Sequence, residues 1–140
     1  MKKELTVKAS RGNYTAVEQF ITEALEEAEA SPKEAARISI AVDEVFTNIV
    51  SYAYGRNDDG EVTVSVDAES NRIVLVFTDS GIPFNPLEKS DPDITLPAES
   101  RSIGGLGIYV VKKTMDDVSY EYKNGKNILT IAVSYTHLTL

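Results

Sequence analysis

Apolar residues recur along this chain with two different periods, and each change of period marks the start of a new element. Leu5, Val7 and Ala9 alternate with Thr6 and Lys8, which predicts a first strand with one buried face. From Asn13 to Thr15 onward the spacing becomes three and four. Val17, Phe20, Ile21, Ala24, Leu25 and Ala28 form the apolar stripe of a helix, and Glu18, Glu23, Glu26, Glu27 and Glu29 line the rest of it. Ser31-Pro32-Lys33-Glu34 reads as a second helix start: Ser31 caps, Pro32 suits the first helical position, and Glu34 completes a capping box. The stripe Ile38, Val42, Val45, Ile49, Tyr52 carries this helix to Tyr54-Gly55, where glycine permits a left-handed end.

Beyond a turn at Asn57-Asp58-Asp59-Gly60, Val62, Val64 and Val66 alternate with polar residues as in a half-buried strand. Ile73 to Phe77 is apolar at every position, which predicts a central strand covered on both faces or almost fully buried. The short connection makes the two an antiparallel hairpin. Residues Gly81 to Ile103 read as loop, broken by Pro83, Pro86, Pro92 and Pro97; a loop of this length in a small domain is usually functional or mobile. Gly104 to Gly107 then open a short helix through Val110, Val111 and Met115. Val118, Tyr120 and Tyr122 alternate in a further strand, Asn124-Gly125 signals a tight hairpin, and Ile128 to Val133 pairs back as the last strand. The expected organisation is one domain over residues 1–133. The tail 134–140 holds the sole histidine, His137, and resembles translated adapter sequence, so no chemistry is assigned to it.

Composition narrows the function. A hydrophobic content of 42% over 140 residues supports one folded core. The formal net charge of −8 opposes nucleic-acid binding, which depends on Lys and Arg meeting phosphates. It leaves open a small phosphorylated ligand held by backbone N–H groups and a metal ion. With no cysteine, disulfide and thiolate chemistry are excluded. No apolar run spans a bilayer and no signal peptide is visible at the start, so the expectation is a cytoplasmic protein with no membrane association.

Three short segments carry candidate chemistry. Glu44 and Asn48 lie one helical turn apart, at the edge of the stripe through Val42, Val45 and Ile49. Such a pair is either ordinary helix surface or a functional one: Asn48 offers magnesium a neutral oxygen, and Glu44 can accept a proton from an attacking hydroxyl. Asp79-Ser80-Gly81 ends the apolar strand. It is either a plain turn or a place where the Asp79 carboxylate accepts from the exocyclic amine of adenine, with Gly81 allowing close backbone approach and Phe84 packing near the ring or in the core. Gly104-Gly105-Leu106-Gly107 is either a flexible loop entering a helix or a place where bare N–H groups and the helix dipole favour phosphate oxygens. No Lys-Ser or Lys-Thr follows, so this is not a Walker P-loop. Arg101 is either solvated or within reach of a terminal phosphate, and Thr130 on the last strand is either ordinary surface or core, or a contact to the nucleotide side.

Taken together and in this order, the segments resemble the nucleotide-binding superfamily of gyrase, Hsp90, sensor histidine kinases and MutL (the GHKL superfamily), and within it the bacterial anti-sigma factor serine kinases. The run from Ala41 to Val50 is similar to the N box of that group, and the segments from Asp79 to Phe84 and from Gly104 to Tyr109 are similar to its two glycine boxes. The resemblance implies an α+β fold of Bergerat type, a two-layer α/β sandwich with helices on one face of a mixed, mainly antiparallel sheet. It implies ATP and Mg2+ as ligands. Asn48 would bind the metal, Asp79 would contact adenine, Gly105 and Gly107 would meet phosphates, Glu44 would be the catalytic base, and the loop 81–103 would be a lid.

The implied activity is an ATP-dependent serine kinase and anti-sigma regulator. It would phosphorylate a small partner of the anti-anti-sigma (STAS) type, with a sigma factor or related regulator competing and a homodimer as the common state. Alternatives are a nucleotide-binding sequestration module without kinase activity, and a stand-alone histidine-kinase-like catalytic domain. Ser51 stands where many sensor histidine kinases carry a basic residue, and no helical hairpin with a phosphoacceptor histidine precedes the domain, which counts against the latter.

Overall fold

The computed structural model describes residues 1–54, 60–88 and 105–134. The turn at 57–59, the loop beyond Glu88 with Arg101 and Gly104, and the tail with His137 lie outside the described residues. The elements follow the predicted order. They are β1 (Lys2–Lys8), α1 (Tyr14–Glu27), α2 (Pro32–Tyr52), β2 (Glu61–Ala68), β3 (Arg72–Asp79), α3 (Gly105–Thr114), β4 (Asp117–Lys123) and β5 (Lys126–Ser134). The strands form one sheet in the order β1-β2-β3-β5-β4, and every described pairing is antiparallel. Helices cover one face of it, which makes a two-layer α+β sandwich.

Register fixes what points into the core. Leu5, Val64, Phe77, Leu129 and Tyr120 form one row across all five strands, and Val66, Leu75 and Ile131 form the next. Against these rows α2 packs Ile38, Val42, Val45 and Phe46, while α1 packs Val17, Ile21 and Leu25, all buried. Of the two expectations for β3, cover by helices on both faces does not hold, and residues 73–79 alternate between buried and half-buried. Its Val74 and Val76 are half-buried and point away from the helices, beside Asp67 and Ala132 and beside Ser65 and Thr130 respectively. The unbroken apolar run reflects a central position between β2 and β5 rather than a second helical layer.

The ends of the helices follow their sequence signals. The Ser31 hydroxyl accepts from the Glu34 N–H at 3.3 Å, with Pro32 in the first turn of α2. At the C-terminus of α1, Ala30 N–H donates to Leu25 and Glu29 N–H donates to Glu26, both at 3.0 Å, a Schellman closure. The closure requires Glu29 to adopt φ 58°, a left-handed conformation that side chains disfavour. In the β4–β5 turn Asn124 (φ 55°) and Gly125 (φ 77°) meet the same requirement with residues that tolerate it. Tyr14, at the start of α1, directs its hydroxyl to the Asp43 carboxylate on α2. That hydrogen bond, then burial, then the negative charges of Asp43, Glu18 and Glu44 push its pKa up to about 12.

Two measurements check these contacts. Replacing Glu29 by glycine is expected to stabilise the fold by about 0.5–1 kcal/mol in urea unfolding, because the cap conformation then carries no side-chain penalty. Difference titration of the parent chain against Tyr14→Phe near 295 nm is expected to show one tyrosine ionising about two units late. In Asp43→Asn that tyrosine should titrate closer to the ordinary value of about 10. A raised tyrosine pKa favours the protonated form of the folded state, so this contribution to stability is intact below about pH 10 and is lost as pH climbs through about 12.

Candidate functional site

A cleft opens between the C-terminal half of α2 and the core-facing ends of β3 and β5. Its walls include Asn48, Ile49, Tyr52, Phe77, Asp79, Ile82, Phe84 and Leu129. The walls are mainly apolar. Tyr52 and Phe84 stack with ring centroids 5.5 Å apart, and Ile82 lines the cleft with 64% of its surface exposed.

Asp79 ends β3 in the inward register and is only 6% exposed. A carboxylate buried among apolar neighbours needs hydrogen-bond donors. Two reach the same oxygen: Gly81 N–H and Asn127 Nδ2 each donate to Oδ1 at 2.9 Å. Among the described residues no donor reaches Oδ2. No buried side-chain nitrogen or oxygen among them lacks a partner, so Oδ2 keeps access to the cleft.

The turn after Asp79 is seated on the end of α2. Ile82 N–H donates to the carbonyl of Ala53 at 2.9 Å. At Gly81 a Cβ would overlap the backbone of Ala53. The glycine therefore lets the strand end pack against the helix end. Nearby, the Tyr54 hydroxyl donates to the carbonyl of Glu61 at 2.6 Å and accepts from Ser80 N–H at 2.8 Å, tying the start of β2 to the end of β3. The Tyr54 ring occupies the space where a Cβ at Gly60 would sit.

Glu44 and Asn48 are both half-buried on α2. Asn48 faces the cleft, and Glu44, one turn back, faces the first turn of α3, where a Cβ at Gly107 would overlap its Oε2. Six of the expected residues thus come together in space: Asn48, Asp79, Gly81 and Phe84 around the cleft, and Glu44 beside it against Gly107. Gly105 opens α3 next to that contact. Arg101 and Gly104 lie outside the described residues.

Thr130 is a correction. Its strand neighbours Leu129 and Ile131 point into the core, so Thr130 points the other way, between Val76 and Ser119 on the face without helices. The β5 residue opposite Asp79 is Asn127.

Asn127 was not anticipated from the sequence. It is 6% exposed, and all of its amide is engaged: Nδ2 donates to Asp79 Oδ1 and to the Ile82 carbonyl, each at 2.9 Å, and Oδ1 accepts from Phe84 N–H at 3.1 Å and from the Tyr120 hydroxyl. Burial pushes the pKa of Tyr120 up, and the nearby Asp79 charge adds to this. A signal was present: Asn127 is the polar member of the inward series Asn127, Leu129, Ile131, Val133.

Residues 7–133 match the family described as the histidine kinase-like ATPase domain. Among curated proteins the chain is similar to the serine-protein kinases RsbW of Bacillus thuringiensis and Bacillus mycoides, 34% identical over 96 residues in each case. The aligned region is 66% of this chain and 59% of the relative, so the chain spans little more than half the length of the curated relatives it matches. Among solved structures it resembles the RsbU and RsbW domains of a Mycobacterium tuberculosis protein, with TM-score 0.68, 16% identity and coverage of 99% of this chain and 35% of that one. It also resembles the SiaB-SiaC complex of Pseudomonas aeruginosa, with TM-score 0.61, 16% identity and coverage of 94% and 89%. At these identities the structures establish the fold, and the family match establishes membership. The chain belongs to the histidine kinase-like ATPase domain family.

Proposed function

We propose that this chain is an ATP-dependent protein-serine kinase that acts on a small regulatory partner of the anti-anti-sigma type, with residues 1–133 as the kinase domain. The observation that carries the reading is the meeting of distant segments: Asn48 of α2 and Asp79 of β3 line one cleft, with Asp79 Oδ2 open to it, and beside it Glu44 of α2 stands against Gly107 of α3. The similarity to proteins named serine-protein kinases supports the choice of serine as acceptor.

The residues present suit the ligands. Tyr52, Phe84 and Ile82 offer apolar surface to a flat base. Asp79 Oδ2 accepts from the exocyclic amine of adenine, and a guanine, which presents an acceptor there, is disfavoured. The first turn of α3 offers backbone N–H groups to phosphate oxygens, and the absent side chain of Gly107 lets the Glu44 carboxylate approach that turn closely. Asn48 supplies one neutral oxygen to magnesium. Among the described residues no group of three acidic or histidine side chains could hold a metal by itself, which suits a cation bound mainly by phosphate oxygens and water. When bound, magnesium would neutralise charge on the transferred phosphoryl group.

Glu44 takes the proton from the acceptor serine hydroxyl as its oxygen bonds to the γ-phosphorus and ADP departs. The phosphate then adds negative charge to the partner at its contact with a chain of net charge −8, and repulsion favours release. A sigma factor or similar regulator can then occupy the same homodimeric chain.

Glu44→Gln is expected to bind Mg-ATP with affinity near that of the parent, while transfer to a candidate partner falls about 10²- to 10⁴-fold. Isothermal titration and mass-spectrometric detection of phosphoserine read the two effects separately. Phosphohistidine, or nucleotide-dependent binding without transfer, would contradict the serine-kinase reading. Gly107→Ala is expected to keep the fold and to slow transfer, because the new methyl displaces the Glu44 carboxylate. Parent-like transfer by this variant would show that the position of Glu44 is unimportant.

A further inference from the structure

We infer that Asn127 is the positioning residue that gives the cleft its preference for adenine, by holding Asp79 so that only Oδ2 is offered to the base. This rests on the reading of the cleft as an adenine-nucleotide site and adds a residue to it.

The inference follows from how completely the Asn127 amide is used. A primary amide has two N–H donors and two acceptor lone pairs. Here the donors serve Asp79 Oδ1 and the Ile82 carbonyl, with the Gly81 carbonyl a further 3.4 Å contact, and the acceptor oxygen serves Phe84 N–H and the Tyr120 hydroxyl. The donor and acceptor sides have different partners, so the orientation of the amide is determined by the network. One side chain thereby ties together the end of β3, the 81–84 turn and β4.

The consequence for recognition lies with Asp79. The two oxygens of a carboxylate are equivalent, so what recognition needs is a fixed plane for the group. With one oxygen occupied by both Asn127 and Gly81 N–H, twisting out of that plane would cost two hydrogen bonds inside a buried site. Oδ2 is then the single fixed acceptor facing the cleft. A fixed acceptor selects a base with an amine at that point and rejects one with a carbonyl. A loosely held carboxylate can swing aside or hydrate, and discriminates less. Asn127 itself touches neither base nor phosphate in this account. Aspartate at 127 has nearly the same shape and retains the acceptor side, yet it replaces the donor to Asp79 with a second carboxylate oxygen.

The test is isothermal titration of the full chain, Asn127→Asp and Asn127→Ala with Mg-ATP and Mg-GTP at pH 7.5, with thermal melts to show that each variant is folded. The parent is expected to prefer ATP. In both variants ATP affinity should fall about tenfold or more while GTP affinity changes little, so the ATP:GTP ratio collapses. An unchanged ratio in a folded variant overturns the inference, even when both affinities drop together, because a purely structural role weakens the two nucleotides alike. Failure of the parent to bind Mg-ATP would instead refute the nucleotide reading of the cleft. Should neither variant fold, the side-chain amide protons of Asn127 in the 15N-labelled parent decide the matter. Slow exchange and a shift on adding Mg-ATP but not Mg-GTP support the role, and solvent-like exchange or an equal response to both nucleotides overturns it.

Discussion

A carboxylate buried in an apolar sandwich is the constraint around which this site is organised. Asp79 sits at the inward end of the central strand with little solvent to stabilise it. The fold answers with two N–H donors on one oxygen, one from two residues along its own chain and one from the opposite strand. Those donors can be in place only if the 81–84 turn doubles back under α2. That in turn needs the contact between Gly81 and Ala53 and the hydrogen bond from Ile82 to the helix end. The geometry of the cleft floor therefore follows from satisfying one buried charge.

The same helix end links the floor to the chemistry above it. α2 buries Ile38, Val42, Val45 and Phe46 against the sheet, so the orientation of its remaining face is fixed. Asn48 and Glu44 lie at the margin of that buried stripe. One faces the cleft and the other the glycine-bearing start of α3. At the far end of α3, the guanidinium of Arg37, also from α2, donates to the carbonyl of Thr114. The helix that carries the proposed base thus holds both ends of the helix proposed to meet the phosphates.

Much of this arrangement is legible in the sequence, and the reasons are local. The 3.6 and 2.0 periodicities identify α1, α2, β1, β2 and β4, because each buries one face against a single core, while β3 is marked by its unbroken apolar run and β5 by the hairpin turn before it. Ser31-Pro32, Asn124-Gly125 and the glycines near 105 mark boundaries through backbone requirements that few residues meet. Glu44, Asn48 and Asp79 stand out as polar residues at the margins of apolar stripes. What sequence reading misses depends on strand register. Thr130 and Asn127 are both polar residues of the last strand; Asn127 shares the phase of the inward series through Leu129 and Ile131, and its pairing with Asp79 places it at the cleft. The role of Gly81 is likewise invisible without the helix end that crosses it. The continuous apolar run in β3 suggests two covered faces, but Val74 and Val76 are shielded by strand neighbours instead.

The most direct measurement is a titration of the 15N-labelled chain with Mg-ATP, followed by amide and side-chain shifts. The account predicts saturable changes centred on Asn48, Asp79, the 81–84 turn and Gly107, with Thr130 and the helix-free face of the sheet unmoved. Changes centred on that opposite face, or none at millimolar Mg-ATP, would contradict it.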